Sequence, residues 1–152
     1  MGTTFRLYLP LLGELREKLE TAPAIILQVG GSEMILLVED DTDVQVSLQR
    51  LLEAFGYHVL AFGDSDEAIE AFRGQSDEID LIILDVIMPG KSGIVVLDEM
   101  LRIKPSVKSL FLSGYPADFL RKKGVHADNF NLVMKPVIPA ELAARIRAVI
   151  SA

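Results

Sequence analysis

Four stretches of this chain end a strand-like apolar run at a residue that could take part in chemistry. They are residues 34–38 before Glu39 and Asp40, residues 81–84 before Asp85, residues 107–112 before Ser113, and residues 132–134 before Lys135. Parallel sheets that are buried on both faces contain such runs, and ligands of open α/β sheets bind at the carboxyl ends of the strands. We therefore expect these polar side chains to meet at one edge of a sheet.

Carboxylates, a hydroxyl and an amine in one place form a site suited to a divalent metal ion and a phosphoryl group. A carboxylate such as Asp85 can attack phosphorus and form an acyl phosphate. The like charges of the carboxylates and the phosphodonor oppose that attack unless a cation is present. Mg²⁺ (or Mn²⁺) prefers carboxylate, carbonyl and water oxygens. We expect Asp40, Asp85 and the backbone carbonyl of Ile87 to bind the ion directly, and Glu39 to act through water.

The remaining two polar residues suit the oxygens of a phosphoryl group. Lys135 offers a positive charge, Ser113 offers a hydrogen-bond donor, and Gly114 leaves the approach open. Phosphoryl transfer passes through a loose transition state, so positioning and charge neutralisation supply most of the catalysis. The residues thus predict a phosphoacceptor site with Asp85 as the nucleophile.

Strand-like and helical patterns alternate from residue 34 onward. We expect strands at residues 34–38, 57–62, 81–84, 107–112 and 132–134, and helices at residues 42–55, 64–72, 94–103, 116–123 and 139–150. Thr42 and Asp64 stand at capping-box positions, and Gly56 and Gly74 stand where helices should end. Five βα units of this length predict an α/β fold with a doubly wound, five-stranded parallel sheet.

The segments that carry these residues resemble, in order and in spacing, the receiver domain of two-component response regulators. The resemblance covers residues 34–150, and its matching segments are residues 35–41 (ILLVEDD), 84–90 (LDVIMPG) followed by Gly93, 112–114 (LSG) and 134–136 (MKP). It implies a flavodoxin-like (βα)5 fold. It also implies that the chain accepts a phosphoryl group in Mg²⁺-dependent two-component or phosphorelay signalling.

The resemblance also implies roles for individual residues. Asp85 would accept the phosphoryl group from a phosphohistidine, with the metal at Glu39, Asp40 and Asp85. Ser113 and Lys135 would contact the phosphate, and the peptide bond after Lys135 would be cis. The donor is then the dimerisation and phosphotransfer domain of a histidine kinase, or a histidine-containing phosphotransfer protein.

One position departs from the family pattern. Receivers usually carry Tyr or Phe three residues before the lysine, as the aromatic part of their switch, and this chain has Leu132 there. Phosphate uptake does not need the ring, whereas the usual coupling between the hydroxyl and the aromatic residue does. Tyr115 and Phe130 are the nearby aromatic residues, and surface packing is the simpler role for both.

The first 33 residues fall outside the receiver pattern. Residues 1–10 (MGTTFRLYLP) resemble the closing strand of a sensor histidine kinase ATP-binding domain, residues 11–33 fit a partly helical linker, and residues 34–152 form the receiver. This order suggests a piece of a hybrid histidine kinase, in which the fragment is a phosphoacceptor rather than an enzyme. The alternatives are a stand-alone response regulator with a short leader, or a receiver-like interaction module that is not phosphorylated.

Composition and charge narrow the classes of function. The formal net charge of −7 argues against nucleic acid as a main partner, and the basic run at residues 121–123 fits a helix C-terminus. The absence of cysteine excludes disulfides, thiol catalysis and thiolate metal sites. No apolar stretch approaches the ~18 residues of a membrane helix, and the N-terminus has no signal-peptide pattern. We therefore expect a cytoplasmic protein without direct membrane contact in this segment.

Other chemistries fit the residues less well. Haloacid-dehalogenase-like phosphatases also use an aspartate after a strand, but they need a second aspartate two residues later, where this chain has Ile87. A hydrolase triad around Ser113 lacks His and Asp partners in pattern. His58 and His126 lack metal-ligand spacing, so the phosphohistidine must come from another domain.

Overall fold

The computed structural model describes residues 30–116 and 131–152, in which strands and helices alternate. The strands are β1 (Met34–Val38), β2 (His58–Phe62), β3 (Leu81–Asp85), β4 (Lys108–Ser113) and β5 (Leu132–Met134). The helices are α1 (Thr42–Ala54), α2 (Ser65–Gln75), α3 (Gly93–Ile103) and α4 (Pro139–Ser151). The helix expected over residues 116–123, apart from its first residue, and the segments expected over residues 1–29 lie outside the described residues.

The five strands form one parallel sheet in the order β2-β1-β3-β4-β5. The strand order reverses at β1, because β2 lies on one side of it and β3 on the other. Such a reversal is the switch point at which open α/β sheets bind their ligands. The α/β fold with a doubly wound, five-stranded parallel sheet is therefore confirmed.

Both faces of the sheet are covered, which explains the unbroken apolar runs of its inner strands. Successive side chains of a strand point to opposite faces. Leu36 and Ile82 accordingly join a buried cluster with residues of α2 and α3, while Ile35 and Ile83 join a second cluster with residues of α1 and α4. All four side chains are fully buried. Packing on two sides fixes the strand ends, and with them the residues that follow.

The start of α1 corrects one expectation from the sequence. Asp41, rather than Thr42, caps the helix, and its carboxylate accepts hydrogen bonds from the backbone N–H groups of Asp43 and Val44 at 3.0 and 3.2 Å. Asp41 has the extended backbone of a cap residue, whereas Thr42 is already helical. Asp64 caps α2 as expected.

The two glycines that were expected to end helices behave differently. Gly56 follows α1 with φ of +96°, the left-handed conformation that favours glycine at a helix end. Gly74 lies inside α2, which continues to Gln75, so its expected role as a terminator is wrong. Nothing lies within 4 Å of the position that a Cβ at Gly74 would occupy.

Within the described ranges, no helix is both long and apolar enough to span a membrane.

Candidate functional site

The three acidic residues predicted to bind metal meet at the carboxyl ends of β1 and β3. Glu39 and Asp40 follow β1 directly, and Asp85 is the last residue of β3. One carboxylate oxygen from each residue lies within 4.8 Å of the other two. β3 runs one residue further than expected because Asp85 still pairs with Leu112 of β4. The sheet topology therefore brings together residues that are distant in sequence.

Burial differs strongly among the three carboxylates. Glu39 is only 1% exposed, the Asp85 side chain is 13% exposed, and Asp40 is exposed. The backbone N–H of Glu39 donates to the carbonyl of Phe62 at 3.0 Å, which fixes this turn against the end of β2. The site is thus closed on the side of Glu39 and open to water on the side of Asp40.

Lys135 connects two of these carboxylates. Its Nζ lies 2.7 Å from Oε2 of Glu39 and 2.7 Å from Oδ2 of Asp85. Lys135 follows β5 directly, and its backbone N–H donates to the carbonyl of Ser113 at 2.7 Å. The peptide bond between Lys135 and Pro136 is cis, as the family resemblance implied. The last turn of chain after β5 thus brings a cation into the acidic cluster.

Electrostatics within the cluster follow from burial and pairing. Burial raises the pKa of Glu39, although hydrogen bonding to Lys135 acts in the opposite direction. For Lys135, burial acts to lower the pKa, but hydrogen bonds and charge from Asp85 and Glu39 raise it overall. Lys135 is therefore an ammonium at neutral pH, held by acceptors that a divalent cation would also bind.

Ser113 occupies the same edge but has a different set of partners. It is the last residue of β4, is 1% exposed and pairs with Met134 of β5. Its Oγ accepts a hydrogen bond from the backbone N–H of Tyr115 and donates to the Tyr115 carbonyl, both at 3.0 Å. The structure therefore brings Ser113 to the predicted edge, while its hydroxyl bonds to the backbone of Tyr115 in the loop after β4.

The loop between β3 and α3 passes close to Asp85. The backbone N–H of Ile87 donates to Oδ1 of Asp85 at 3.2 Å, and the N–H of Gly93 donates to the carbonyl of Val86 at 3.1 Å. A Cβ at Gly93 would lie 2.0 Å from the Asp85 carbonyl oxygen, so only glycine fits there. Gly90 turns the loop with φ of +77°. Sequence reasoning gave Ile87 a role but overlooked the contacts that hold this loop.

An apolar surface cleft of about 400 Å³ lies next to Lys135. It separates α1 from the segment after β5, and its lining includes Val44, Leu48, Leu51, Lys135, Pro136 and Val137.

The fold and the site together define the class of protein: a doubly wound α/β domain whose switch point holds an acidic cluster paired with a lysine.

Comparison with known proteins identifies the family to which the chain belongs. The family described as response regulator receiver domain matches residues 35–147, and the chain belongs to it. Receiver domains have the phosphoacceptor role in two-component signalling, and that is the function of this domain. They generally bind Mg²⁺ in an acidic pocket and interact with histidine kinases and phosphotransfer proteins.

Two relatives show the range of proteins that contain such a domain. The sensor kinase CckA of Brucella abortus (strain 2308) is 30% identical over 154 residues, covering 96% of this chain and 16% of that protein. The transcriptional regulatory protein CpxR of Escherichia coli (strain K12) is 35% identical over 116 residues, covering 76% of this chain and 48% of that protein. The chain therefore spans less than half the length of either relative.

Solved structures agree with the fold. A response regulator receiver domain protein from Clostridium thermocellum matches with a TM-score of 0.68 and 29% identity, covering 78% of this chain and 94% of its own. The receiver domain of the hybrid histidine kinase CckA matches with a TM-score of 0.65 and 32% identity, covering 77% of this chain and 98% of its own. The flavodoxin-like receiver fold expected from the resemblance is thus confirmed.

Proposed function

We propose that Asp85 is the phosphoacceptor and that it takes its phosphoryl group from a phosphohistidine on a partner. The observation that carries this proposal is the pairing of Asp85 with Lys135 at the switch point of the sheet. A carboxylate oxygen of Asp85 forms the new O–P bond while the P–N bond of the donor breaks. The electron pair of that P–N bond stays on the imidazole nitrogen of the donor.

The acidic cluster fits a Mg²⁺ or Mn²⁺ ion. Three carboxylate oxygens lie within 4.8 Å of one another, and the buried one belongs to Glu39. Asp40, Asp85 and the backbone carbonyl of Ile87 would bind the ion directly, with Glu39 acting through water. When bound, the ion neutralises the charge that would otherwise repel the phosphodonor. This donor set, carboxylates and a carbonyl with one open side, is the kind that Mg²⁺ prefers.

Lys135 and Ser113 act on the oxygens of the phosphoryl group. The Lys135 ammonium already lies 2.7 Å from Asp85 Oδ2, so it is close to any group attached to that carboxylate. Ser113 donates to the Tyr115 carbonyl in this structure, and it must release that carbonyl before it can donate to a phosphoryl oxygen. Exchange of this hydrogen bond would connect phosphorylation to the loop after β4.

Intact-mass measurement tests the acceptor assignment. The protein is incubated with acetyl phosphate or phosphoramidate and Mg²⁺, and a single phosphate adduct is expected. Asp85→Ala should give no adduct, because the other carboxylate that pairs with Lys135, that of Glu39, is almost fully buried. Asp43→Ala, which removes an exposed carboxylate of α1, is the matched control and should phosphorylate normally. An adduct that persists in Asp85→Ala would overturn the assignment.

We also propose that the chain comes from a hybrid histidine kinase, with residues 1–10 from its ATP-binding domain, residues 11–33 as linker and residues 34–152 as receiver. The match to the sensor kinase CckA supports this, because a match covering 96% of the chain includes most of residues 1–33. The match to CpxR covers only 76% of the chain. The parent protein would then be a histidine kinase with this segment in the cytoplasm, while this fragment supplies only self-phosphorylation and autodephosphorylation chemistry.

The coding sequence upstream of this segment tests the hybrid origin. We expect it to encode a dimerisation helix with a phosphorylatable histidine, followed by an Asn- and Gly-rich ATP-binding domain. That dimerisation domain, or a histidine-containing phosphotransfer protein, is then the partner that donates or receives the phosphoryl group. An upstream reading frame without a kinase would favour the stand-alone response regulator instead.

A further inference from the structure

Lys91 connects the loop after β3 to two helices. Its Nζ lies 2.8 Å from Oδ1 of Asp66, in the first turn of α2, and 2.8 Å from Oε1 of Glu99 in α3. Hydrogen bonds to Asp66 and Glu99 raise the pKa of Lys91 to about 12, so the side chain is an ammonium at neutral pH. The backbone of the same residue is also held, because Ser65 Oγ donates to the Lys91 carbonyl at 3.4 Å.

The loop that Lys91 holds is the one that contains Ile87. Its beginning is fixed to Asp85 by the Ile87 N–H, and its end is fixed by the hydrogen bond from Gly93 to Val86. Between these two points the loop turns at Gly90, which has a left-handed backbone and no side chain that could pack. Met88, before this turn, packs into the buried cluster, and the contacts of Lys91 tie the part of the loop after Gly90 to α2 and α3.

A cleft of about 190 Å³ lies between this loop and the start of α2. Its walls include Asp40, Ser65 and Asp66 on one side, and Pro89, Gly90 and Lys91 on the other. The Lys91–Asp66 ion pair and the hydrogen bond from Ser65 to the Lys91 carbonyl both join the two walls. Asp40, a proposed metal ligand, thus shares a cleft with a loop whose position depends on Lys91.

We infer that Lys91 is a positioning residue of the metal site: it holds the loop so that the Ile87 carbonyl and Asp40 can bind one ion together. This inference rests on the proposed metal site and names a residue that acts on it without touching the ion. Residues that orient metal ligands change metal affinity by about 10- to 100-fold when they are replaced. Lys91 acts through a loop rather than by a direct hydrogen bond to a ligand, so we expect about a fivefold effect.

Simple electrostatics predicts the opposite change in Mg²⁺ affinity. Lys91 is a positive charge near a site for a cation, so its removal would strengthen Mg²⁺ binding if charge alone mattered. Positioning predicts that the same removal weakens binding. Lys91→Met keeps most of the side-chain volume while removing the charge, and it separates these two explanations by the direction of the change. Lys91→Arg keeps a cation that can bind both carboxylates and should restore affinity to within about twofold of wild type.

Arg102→Met is the matched control. Arg102 forms an exposed i,i+4 ion pair with Asp98 on α3, so its replacement by Met also removes one positive charge and breaks an ion pair, but without touching the loop. Mg²⁺ dissociation constants are measured by amide NMR titration of the free protein, with no phosphodonor present. We expect weaker binding for Lys91→Met and no change for Arg102→Met. Equal or tighter binding in Lys91→Met, with wild type binding Mg²⁺ normally, would overturn the inference while leaving the proposed function intact.

Amide hydrogen exchange provides a second measurement that needs no metal. In metal-free Lys91→Met, exchange at residues 87–92 should accelerate relative to wild type and Arg102→Met, while exchange in β3 stays unchanged. Unchanged exchange in the loop would contradict the positioning role whatever the metal affinity. Failure of the wild-type protein to bind Mg²⁺ or Mn²⁺ would instead overturn the proposed metal site, and this inference with it.

Discussion

The ammonium of Lys135 lies 2.7 Å from Oδ2 of Asp85, so the site brings its cation and its proposed nucleophile together before any phosphodonor arrives. The same ammonium is 2.7 Å from Oε2 of Glu39, which is almost fully buried. Lys135 therefore offsets the charge of two carboxylates in the resting domain. Under the proposed function it would also contact the phosphoryl group on Asp85, so one substitution would remove both effects.

Lys135→Met should impair both stability and phosphorylation. We expect the free energy of unfolding to fall by about 2 kcal/mol, because Glu39 stays buried without its hydrogen-bond donor. Phosphorylation by acetyl phosphate should slow by about a hundredfold, because a positioned charge on the phosphoryl oxygens is lost. Urea denaturation and intact-mass time courses measure the two effects. Arg73→Met, which breaks an exposed ion pair with Glu70, is the control and should change neither. A wild-type phosphorylation rate in Lys135→Met would restrict Lys135 to a structural role.

Asp40→Ala should abolish Mg²⁺ binding and phosphorylation together. The two carboxylates that remain include Glu39, which already makes a hydrogen bond to Lys135. They would not supply the contacts and negative charge that a divalent ion needs at this site. NMR titration with Mg²⁺ and intact mass after incubation with phosphoramidate measure the two properties. Phosphorylation of the variant in EDTA at the wild-type rate would refute a metal-dependent mechanism.

An ion pair near the other end of the sheet predicts how stability depends on pH. Glu33 precedes β1 and pairs with Arg147 of α4. Burial acts to raise the pKa of Glu33, but the hydrogen bond and charge of Arg147 lower it overall from its ordinary value of 4.5. A lowered carboxyl pKa contributes stability above its ordinary value, and this is lost as the pH falls through the value in the folded state. Glu33→Gln should therefore be less stable than wild type at pH 7.

Acid denaturation tests this sign. The difference in the free energy of unfolding between wild type and Glu33→Gln should narrow as the pH falls below 4.5 and through the lower pKa of folded Glu33, because only below that pKa is Glu33 protonated in both states of the wild-type protein. Glu70→Gln, which removes an exposed carboxylate from α2, should show no such convergence. A difference that stays constant from pH 7 to pH 3 would mean that the ion pair with Arg147 does not contribute to stability.

The apolar cleft beside Lys135 leads to a prediction about the phosphodonor. Ser47 lines this cleft from the exposed side of α1, so Ser47→Arg should obstruct it without disturbing the core. Transfer from a phosphohistidine partner should slow by about tenfold, because the partner needs the surface around the site. Phosphorylation by acetyl phosphate, which is small, should be unchanged. Val95→Arg adds the same charge at an exposed position of α3 and serves as the control. Equal slowing with both donors would show that the effect arises inside the site.

The sequence was sufficient to predict the sheet and the meeting of the acidic residues and Lys135 at its edge, because apolar runs and the polar residues after them are local signals. It was insufficient where the structure depends on contacts across the chain. Nothing in the spacing of Lys91, Asp66 and Glu99 indicates that they meet, since they lie on three separate elements. The cap of α1 was assigned to Thr42 instead of Asp41 because both residue types favour that position and only the backbone conformation distinguishes them.

Leu132, in place of the usual aromatic residue, should limit the response to phosphorylation. Leu132 pairs with Phe111 of β4, is partly buried and packs against the cluster that contains residues of α2 and α3. A phosphoryl group on Asp85 would carry about −1.5 to −2 charge in place of the single carboxylate charge, and Ser113 and Lys135 should approach its oxygens. Ser113 would then leave its hydrogen bonds with Tyr115 and move the loop after β4. No aromatic ring at position 132 can fill the space that Ser113 vacates.

We therefore expect the change to be concentrated in residues 113–116, and to be smaller over residues 116–123 than in receivers that have the ring. Amide NMR shifts with and without beryllofluoride, a phosphoryl mimic, measure its extent. Leu132→Tyr should enlarge the shifts beyond the loop, because it restores a ring next to the space that Ser113 leaves. Large wild-type shifts throughout residues 132–136 and α4 (Pro139–Ser151), with residues 113–116 unaffected, would show that the coupling follows another route through β5.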